Sequence, residues 1–279
     1  MQVIKTRIEV GAEKPFRVLH ITDNHVALAD ERDDERKTEL SRRRRGDFPL
    51  AEQYLTEQIE YARENRLPIL HTGDMLDFVS WKNLDYAREI LGGVDYFMAV
   101  GNHEYSLYVG EAWEDVPYKM QSYDKVQAVF GNDLMFASRV MGGVNFVAVD
   151  DGYYRFDKSQ LEKLKREAEK GLPVVLMIHN PLHTDELYQY MTETVGEKCA
   201  YLTGTPEGMM KGYDDYRYRQ QRADGDTEAF MEYVYGEPRI RAVISGHLHR
   251  SFETRLPSGI MQYVTGAGYK GEAREIEFV

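Results

Sequence analysis

Short apolar runs rich in β-branched residues recur along this chain, and most of them stop abruptly at a knot of Asp, Asn and His side chains. Phe16–Ile21 leads into Asp23-Asn24-His25, and Ile69-Leu70 leads into Gly73-Asp74-Met75-Leu76-Asp77. Phe97–Val100 leads into Gly101-Asn102-His103-Glu104, Val174–Ile178 runs straight into His179, and Ala242–Ile244 leads into Gly246-His247-Leu248-His249. Apolar runs of this length read as buried strands. In open α/β sheets ligands gather in the crevice beyond the carboxyl ends of the strands. The fold must therefore bring strand ends from remote parts of the chain to one edge, and glycines at 73, 101 and 246 suit the close backbone approach this requires.

Strands are expected at Phe16–Ile21, Pro68–Leu70, Tyr96–Val100, Leu134–Val140, Val144–Val149, Pro173–Ile178 and Ile240–Ile244. An edge strand near Val3–Val10 and a last strand at Arg274–Phe278, after a hairpin near Pro257-Ser258-Gly259, complete the set. Helical periodicity marks Ala51–Asn65, Tyr86–Leu91, Lys158–Lys170 and Thr227–Tyr235, and the alternation with strands is the α/β signature. The turn Met141-Gly142-Gly143-Val144 reads as a hairpin, so the sheets are mixed. With 279 residues, 42% of them hydrophobic, a single domain over residues 1–279 with a substantial core is expected. Two stretches break the rhythm: a charge run at about 30–48 and a Tyr- and Gly-rich stretch at 183–226. Both read as insertions capping the cleft.

The formal charge is −12, from 47 acidic and 35 basic residues, which disfavours general binding to nucleic-acid backbones. One cysteine, Cys199, excludes an internal disulfide framework and a four-cysteine zinc cage. No apolar stretch suggests a secretory signal at Met1–Arg7 or a membrane span elsewhere, so a cytoplasmic location is expected.

Imidazole, carboxylate and amide oxygen are ligands for Mn, Fe, Zn or Co, and no thiolate is placed to demand a softer metal. A carboxylate can bridge two ions, for which Asp74 is the natural candidate, and paired ions activate water and stabilise charge at phosphorus. Mn or Fe is the expected occupant. Hydrolysis of a phosphate ester is the expected chemistry.

The five clusters, in this order, resemble the calcineurin-like metallophosphoesterase family, whose pattern is D-x-H, G-D-x-x-D, G-N-H-[D/E], a lone His, then G-H-x-H. The stretch Val147-Ala148-Val149-Asp150, Gln160-Leu161 and His179-Asn180-Pro181-Leu182 is similar to the cyclic-nucleotide phosphodiesterase-like branch. The resemblance implies a four-layer α/β/β/α sandwich of two mixed β-sheets flanked by helices, with a dinuclear metal site at the strand C-terminal ends. It implies Asp23, His25 and His249 on one metal, Asn102, His179 and His247 on the other, and Asp74 bridging. His103 would protonate the leaving alkoxide, oriented by Asp77, after in-line attack by a metal-bridging hydroxide. Phe78 stands where protein phosphatases carry Arg, which argues against a phosphoprotein substrate. A phosphodiesterase is expected ahead of a phosphomonoesterase, the alternatives being a nuclease of the family or a non-catalytic metal-binding scaffold.

Beyond the motif, His183 and one arginine of Arg42–Arg45, here Arg43, are candidates for substrate contact. His20 and His71 are expected to be structural, and Glu104 to support the site rather than ligate. The tyrosines at 188, 190, 201, 213, 216 and 218, with Arg217, Arg219 and Arg222 nearby, either cap the substrate or anchor their own segment.

Overall fold

Two mixed sheets, of five and six strands, form the centre of the structure, a computed structural model that describes residues 1–110 and 115–279. The strands are β1 (Gln2–Ile8), β2 (Phe16–Ile21), β3 (Ile69–His71), β4 (Tyr96–Met98), β5 (Phe136–Met141) and β6 (Val144–Val149). They continue with β7 (Val174–Met177), β8 (Ile240–Ser245), β9 (Phe252–Arg255), β10 (Met261–Val264) and β11 (Glu272–Phe278). The first sheet has the order β1-β11-β2-β3-β4 and the second β5-β6-β7-β8-β10-β9. In the first, β11 runs antiparallel to β2 while the other pairs are parallel. In the second, the parallel run β6-β7-β8-β10 is flanked by antiparallel β5 and β9.

Period-two alternation along these strands builds the layers. Val18, Leu70, Phe97 and Ile276 of the first sheet face Phe146, Val175, Met177 and Ile244 of the second in one buried cluster. Their neighbours in sequence point the other way. Leu19, Ile69 and Met98 pack beneath the helices Ala51–Asn65 and Trp81–Ile90 through Leu55, Ile59, Leu84 and Ala87. Val147, Val174, Leu176 and Val243 pack beneath the helices Lys158–Glu169 and Gly225–Gly236 through Leu161, Leu164, Phe230 and Val234. The result is the expected four-layer α/β/β/α sandwich. Phe146 closes on Phe278 at 5.1 Å between ring centroids, and burial of one such side chain contributes roughly 1.5–3 kcal/mol.

Two elements depart from the sequence reading. The charge run is not irregular: Glu35–Asp47 is a helix, N-capped by Asp34, whose carboxylate accepts from Lys37 N at 2.8 Å. Only Leu40 and Ser41 of it are buried, so no apolar period betrays it. The helix expected at Tyr86 starts at Trp81, where Ser80 caps it with a hydroxyl accepting from Asn83 N. Residues 183–226 hold short turns of helix at Asp185–Gln189, Tyr190–Val195, Glu207–Met209 and Asp215–Gln221. Leu187, Met191, Ala200 and Leu202 of this segment form a small core with Leu248 and Val264, so the segment grips the residue between His247 and His249. Among the described residues no helix is long and apolar enough to cross a membrane.

Candidate active site

All five motif loops arrive at one edge of the sandwich, three from the ends of β2, β3 and β4 and two from the ends of β7 and β8. Among the described residues eight non-glycine residues have positive φ, and seven of them are here: Asp23, His25, Asp74, Tyr154, Tyr201, His247 and His249. A left-handed backbone costs an L-residue on the order of 1–2 kcal/mol, so the surrounding packing must hold these loops in place. Gly101 and Gly246 let the loops touch. A Cβ on Gly101 would lie 2.2 Å from Asp74 Oδ1, and one on Gly246 would lie 2.0 Å from Thr22 Oγ1.

Each histidine of the cluster is fixed through its outer nitrogen and turns the other inward. His25 Nδ1–H donates to Asp77 Oδ1 at 2.9 Å, and His179 Nδ1–H donates to the Thr72 carbonyl at 2.6 Å. His247 Nε2 lies 2.5 Å from the Tyr154 hydroxyl, and His249 Nδ1 lies 3.3 Å from the Tyr269 hydroxyl. The inward nitrogens then meet in pairs, His25 Nε2 with His249 Nε2 at 3.0 Å and His179 Nε2 with His247 Nδ1 at 3.1 Å. Asp74 Oδ2 stands between the pairs, 3.8 Å from His25 Nε2 and 3.1 Å from His179 Nε2. Asp23 Oδ1 lies 3.3 Å from His249 Nε2. Among the described residues, two of the buried oxygens that lack a hydrogen-bond partner belong to the motif residues here, Asp23 Oδ1 and Asn102 Oδ1.

Such a set of lone pairs and unpaired oxygens suits cations. Asp23-His25-His249 and Asp74-His179-His247 each bring three donor atoms within 4.8 Å of one another, as do His25-Asp74-His103. The electrostatics agree. Burial works against a charge on His179, but Asp74 outweighs it and pushes the imidazole up to about 10, so the site draws positive charge inward. Asp23 and Asp74 are held well below the usual carboxylate range, since His249 and His25 for Asp23, and His179 and His103 for Asp74, overcome the burial penalty.

His103 stands apart. Its Nδ1–H donates to the Asp77 carbonyl at 2.8 Å and lies 3.2 Å from Asp77 Oδ1, while its backbone N–H donates to Asp74 Oδ1 at 2.9 Å. Burial disfavours its charged form, yet Asp74 and Asp77 push it up to about 10, so it carries a proton at neutral pH. Asp77 thus holds two imidazoles, and it is in turn gripped by Arg44, with Nε on Oδ2 at 2.6 Å and Nη2 on Oδ1 at 2.8 Å. Against its burial, Arg44, His103 and His25 hold Asp77 well below the usual range.

Arg44 is the arginine that the unrecognised helix delivers. Arg43, the arginine expected at the substrate, is exposed on the same helix beside Arg36, Glu39 and Tyr108 and does not join the cluster. His183 is buried 3.2 Å from Asp185 Oδ1 and against Tyr188, also outside it. Glu104 supports the loops: its carboxylate accepts from the backbone N–H groups of Asp74, Met75, Leu76 and Gly101 at 2.6–3.1 Å. His20 bonds Thr72 and Thr265, and His71 bonds Asn24 and Gly73, with burial pushing His71 down to about 3.

Sequence reasoning missed Arg44, Tyr154 and Asp151. Asp151 Oδ1 accepts from His179 N at 2.8 Å and fixes the start of that loop, and burial pushes its carboxyl up to about 7. The adjacent pairs Asp150-Asp151 and Tyr153-Tyr154, directly after an apolar strand, were the available signal.

The geometry agrees with comparison to known proteins. No curated protein matches the sequence significantly. Among solved structures, a dimetal phosphatase from Danio rerio is 14% identical and matches over 91% of this chain and 88% of that one, with a TM-score of 0.52, a likeness of fold. A 5′-nucleotidase described as putative, from Staphylococcus aureus, is 15% identical over 91% of this chain and 49% of that one, with a TM-score of 0.46. A hypothetical protein from Thermus thermophilus is 16% identical over 90% and 78%, with a TM-score of 0.40. Residues 16–251 match the family model described as calcineurin-like phosphoesterase, and with the five motif loops converging at one sheet edge the chain belongs to that family of metal-dependent phosphoric ester hydrolases.

Proposed function

We propose that this chain hydrolyses a small phosphodiester at a two-metal centre, with Asp23, His25 and His249 holding one ion, Asn102, His179 and His247 the other, and Asp74 shared. The observation that carries this reading is the position of Asp74 Oδ2 between two pairs of inward-turned histidine nitrogens. Divalent ions bound there, Mn or Fe in this reading, supply an activated water and a Lewis acid for the phosphoryl oxygens.

The rest is the work of the chain's own residues. Tyr154, Thr72, Tyr269 and Asp77 hold the four imidazoles by their outer nitrogens, so little reorganises when a substrate arrives. His103 keeps its Nε2 proton for the leaving alkoxide, and Asp77 orients the ring through Nδ1. Arg44 keeps Asp77 ionised and in place. The segment 183–226 caps the cleft by way of its grip on Leu248. Diester cleavage is placed ahead of monoester cleavage on the likeness of residues 147–182 to the cyclic-nucleotide phosphodiesterase-like branch, with a nucleotide as the substrate class.

The test is turnover of Mn-loaded protein on p-nitrophenyl phosphate, its bis-ester, and 2′,3′- and 3′,5′-cyclic nucleotides, with the metal content measured on the same sample. The bis-ester or a cyclic nucleotide should be cleaved fastest. Protein carrying two ions per chain that cleaves none of these refutes the reading.

A further inference from the structure

The tyrosines of residues 183–226 divide into two groups. Four secure the segment: Tyr188 donates to the Met209 carbonyl, Tyr213 accepts from Ala200 N, Tyr218 bonds Glu207, and Tyr190 packs on Phe252 at 4.6 Å between centroids. The other two, Tyr201 and Tyr216, flank one guanidinium. Arg217 Cζ lies 5.0 Å from the Tyr201 ring centre and 5.2 Å from that of Tyr216. Tyr201 in turn packs edge-on against His247 at 6.0 Å between ring centroids, beside Tyr154, which packs edge-on against the same imidazole at 5.3 Å. Arg217 therefore stands at the rim of the His179-His247 half of the site.

Its bonding is incomplete. Nη1 donates to Gln220 Oε1 at 2.7 Å, and among the described residues no carboxylate comes within ion-pair distance of the half-buried guanidinium. Elsewhere near the site the corresponding need is met: Arg44 has Asp77. A guanidinium removed from water is costly unless an anion completes its hydrogen bonds, and two aromatic faces leave its planar edge as the place for one. The pairing also orders the side chain in advance, which lowers the entropy lost when the anion binds.

We propose that Arg217 is a substrate-binding residue that receives a phosphoryl oxygen of the ester, held for that purpose by Tyr201 and Tyr216. This rests on the function proposed above. The oxygen belongs either to the phosphoryl group undergoing hydrolysis or to a second phosphoryl group on the organic part of the substrate, and Arg217 recognises both by the same fork.

The experiment compares Mn-loaded wild type with Arg217→Met and Arg217→Lys. It measures kcat and KM on the bis-ester, the dissociation constant of inorganic phosphate by calorimetry, and inhibition by adenosine 5′-monophosphate and 5′-diphosphate. Metal content and melting temperature should match the wild type. If the oxygen belongs to the reacting group, KM for the bis-ester should rise about tenfold in Arg217→Met with kcat within about threefold, and Arg217→Lys should recover part of the loss. If it belongs to a second group, which the bis-ester lacks, KM stays at the wild-type value and only nucleotide inhibition changes. A parallel weakening of phosphate assigns the oxygen to the reacting group. Unchanged phosphate affinity with loss of the preference for diphosphate over monophosphate assigns it to a second group. Arg217→Met with wild-type KM, phosphate affinity and nucleotide preference overturns the proposal. Wild-type protein that loads metal and cleaves no ester refutes the proposed function instead, and the phosphate calorimetry still reports on Arg217.

Discussion

The two halves of the site are held by different chemistry. Around Asp23, His25 and His249 the support is ionic at His25, where Asp77 takes Nδ1 and is itself pinned by the two-pronged Arg44 contact, while His249 rests on the Tyr269 hydroxyl. Around His179 and His247 it is neutral, a backbone carbonyl from Thr72 and the Tyr154 hydroxyl. An ionic partner raises the basicity of an imidazole and ties it to whatever else the same carboxylate holds, here His103. A carbonyl or hydroxyl fixes orientation with little charge. On the function proposed above, the first half couples metal binding to proton transfer, and the second presents ligands and accepts substrate at its rim.

The largest expected effect removes the residue common to both halves. Asp74→Ala should lose both ions and lower kcat by ~10³-fold or more, because it takes away the shared oxygen and the field that draws positive charge to His179 and His103. Metal analysis after loading decides it. Two ions retained per chain would show that the halves bind independently and that Asp74 does not bridge.

Smaller changes separate the halves. Arg44→Met loosens Asp77 and with it His103, so kcat on an ester with an alkyl leaving group should fall about tenfold while a p-nitrophenyl ester, which needs no proton on departure, is cleaved nearly as before. Tyr154→Phe leaves His103 untouched and frees His247, so affinity for one ion should drop about tenfold, with near-normal kcat for both esters at saturating metal. The comparison fails if Tyr154→Phe discriminates between leaving groups or if Arg44→Met strips metal.

The same contrast marks what the sequence could convey. The motif loops and the two-sheet core were legible because strand-length apolar runs report burial directly, and the histidine and carboxylate knots sit immediately after them. The support shell was much less so. Arg44 rides on a helix with only Leu40 and Ser41 buried, where charge and not periodicity dominates, and Arg43 one position earlier looks identical in sequence but faces solvent. Tyr154 and Asp151 lie in a loop whose direction depends on the positive φ at Tyr154, which no local pattern announces. The tyrosines at 201 and 216 could not be told from their anchoring neighbours until tertiary contacts placed Arg217 between them.

The smallest effect is on stability, and it tests the ionic half without turnover. Asp74 and Asp77, working against burial, raise His103 to about 10 in the folded chain, above the roughly 6.5 of an unfolded imidazole. The folded state then binds more protons than the unfolded state between these values, so stability from His103 is fully present below about pH 6.5 and is lost as pH rises toward 10. In chelator, the stability difference between wild type and His103→Gln, read from urea unfolding, should shrink over that window by at most about 1.4 kcal/mol per pH unit. Divalent ions seated beside Asp74 oppose the proton on His103, so the same difference measured with metal should change less with pH. A difference independent of pH in chelator would mean that Asp74 and Asp77 do not hold a proton on His103, and the proton-transfer role given to the ionic half would fall with it.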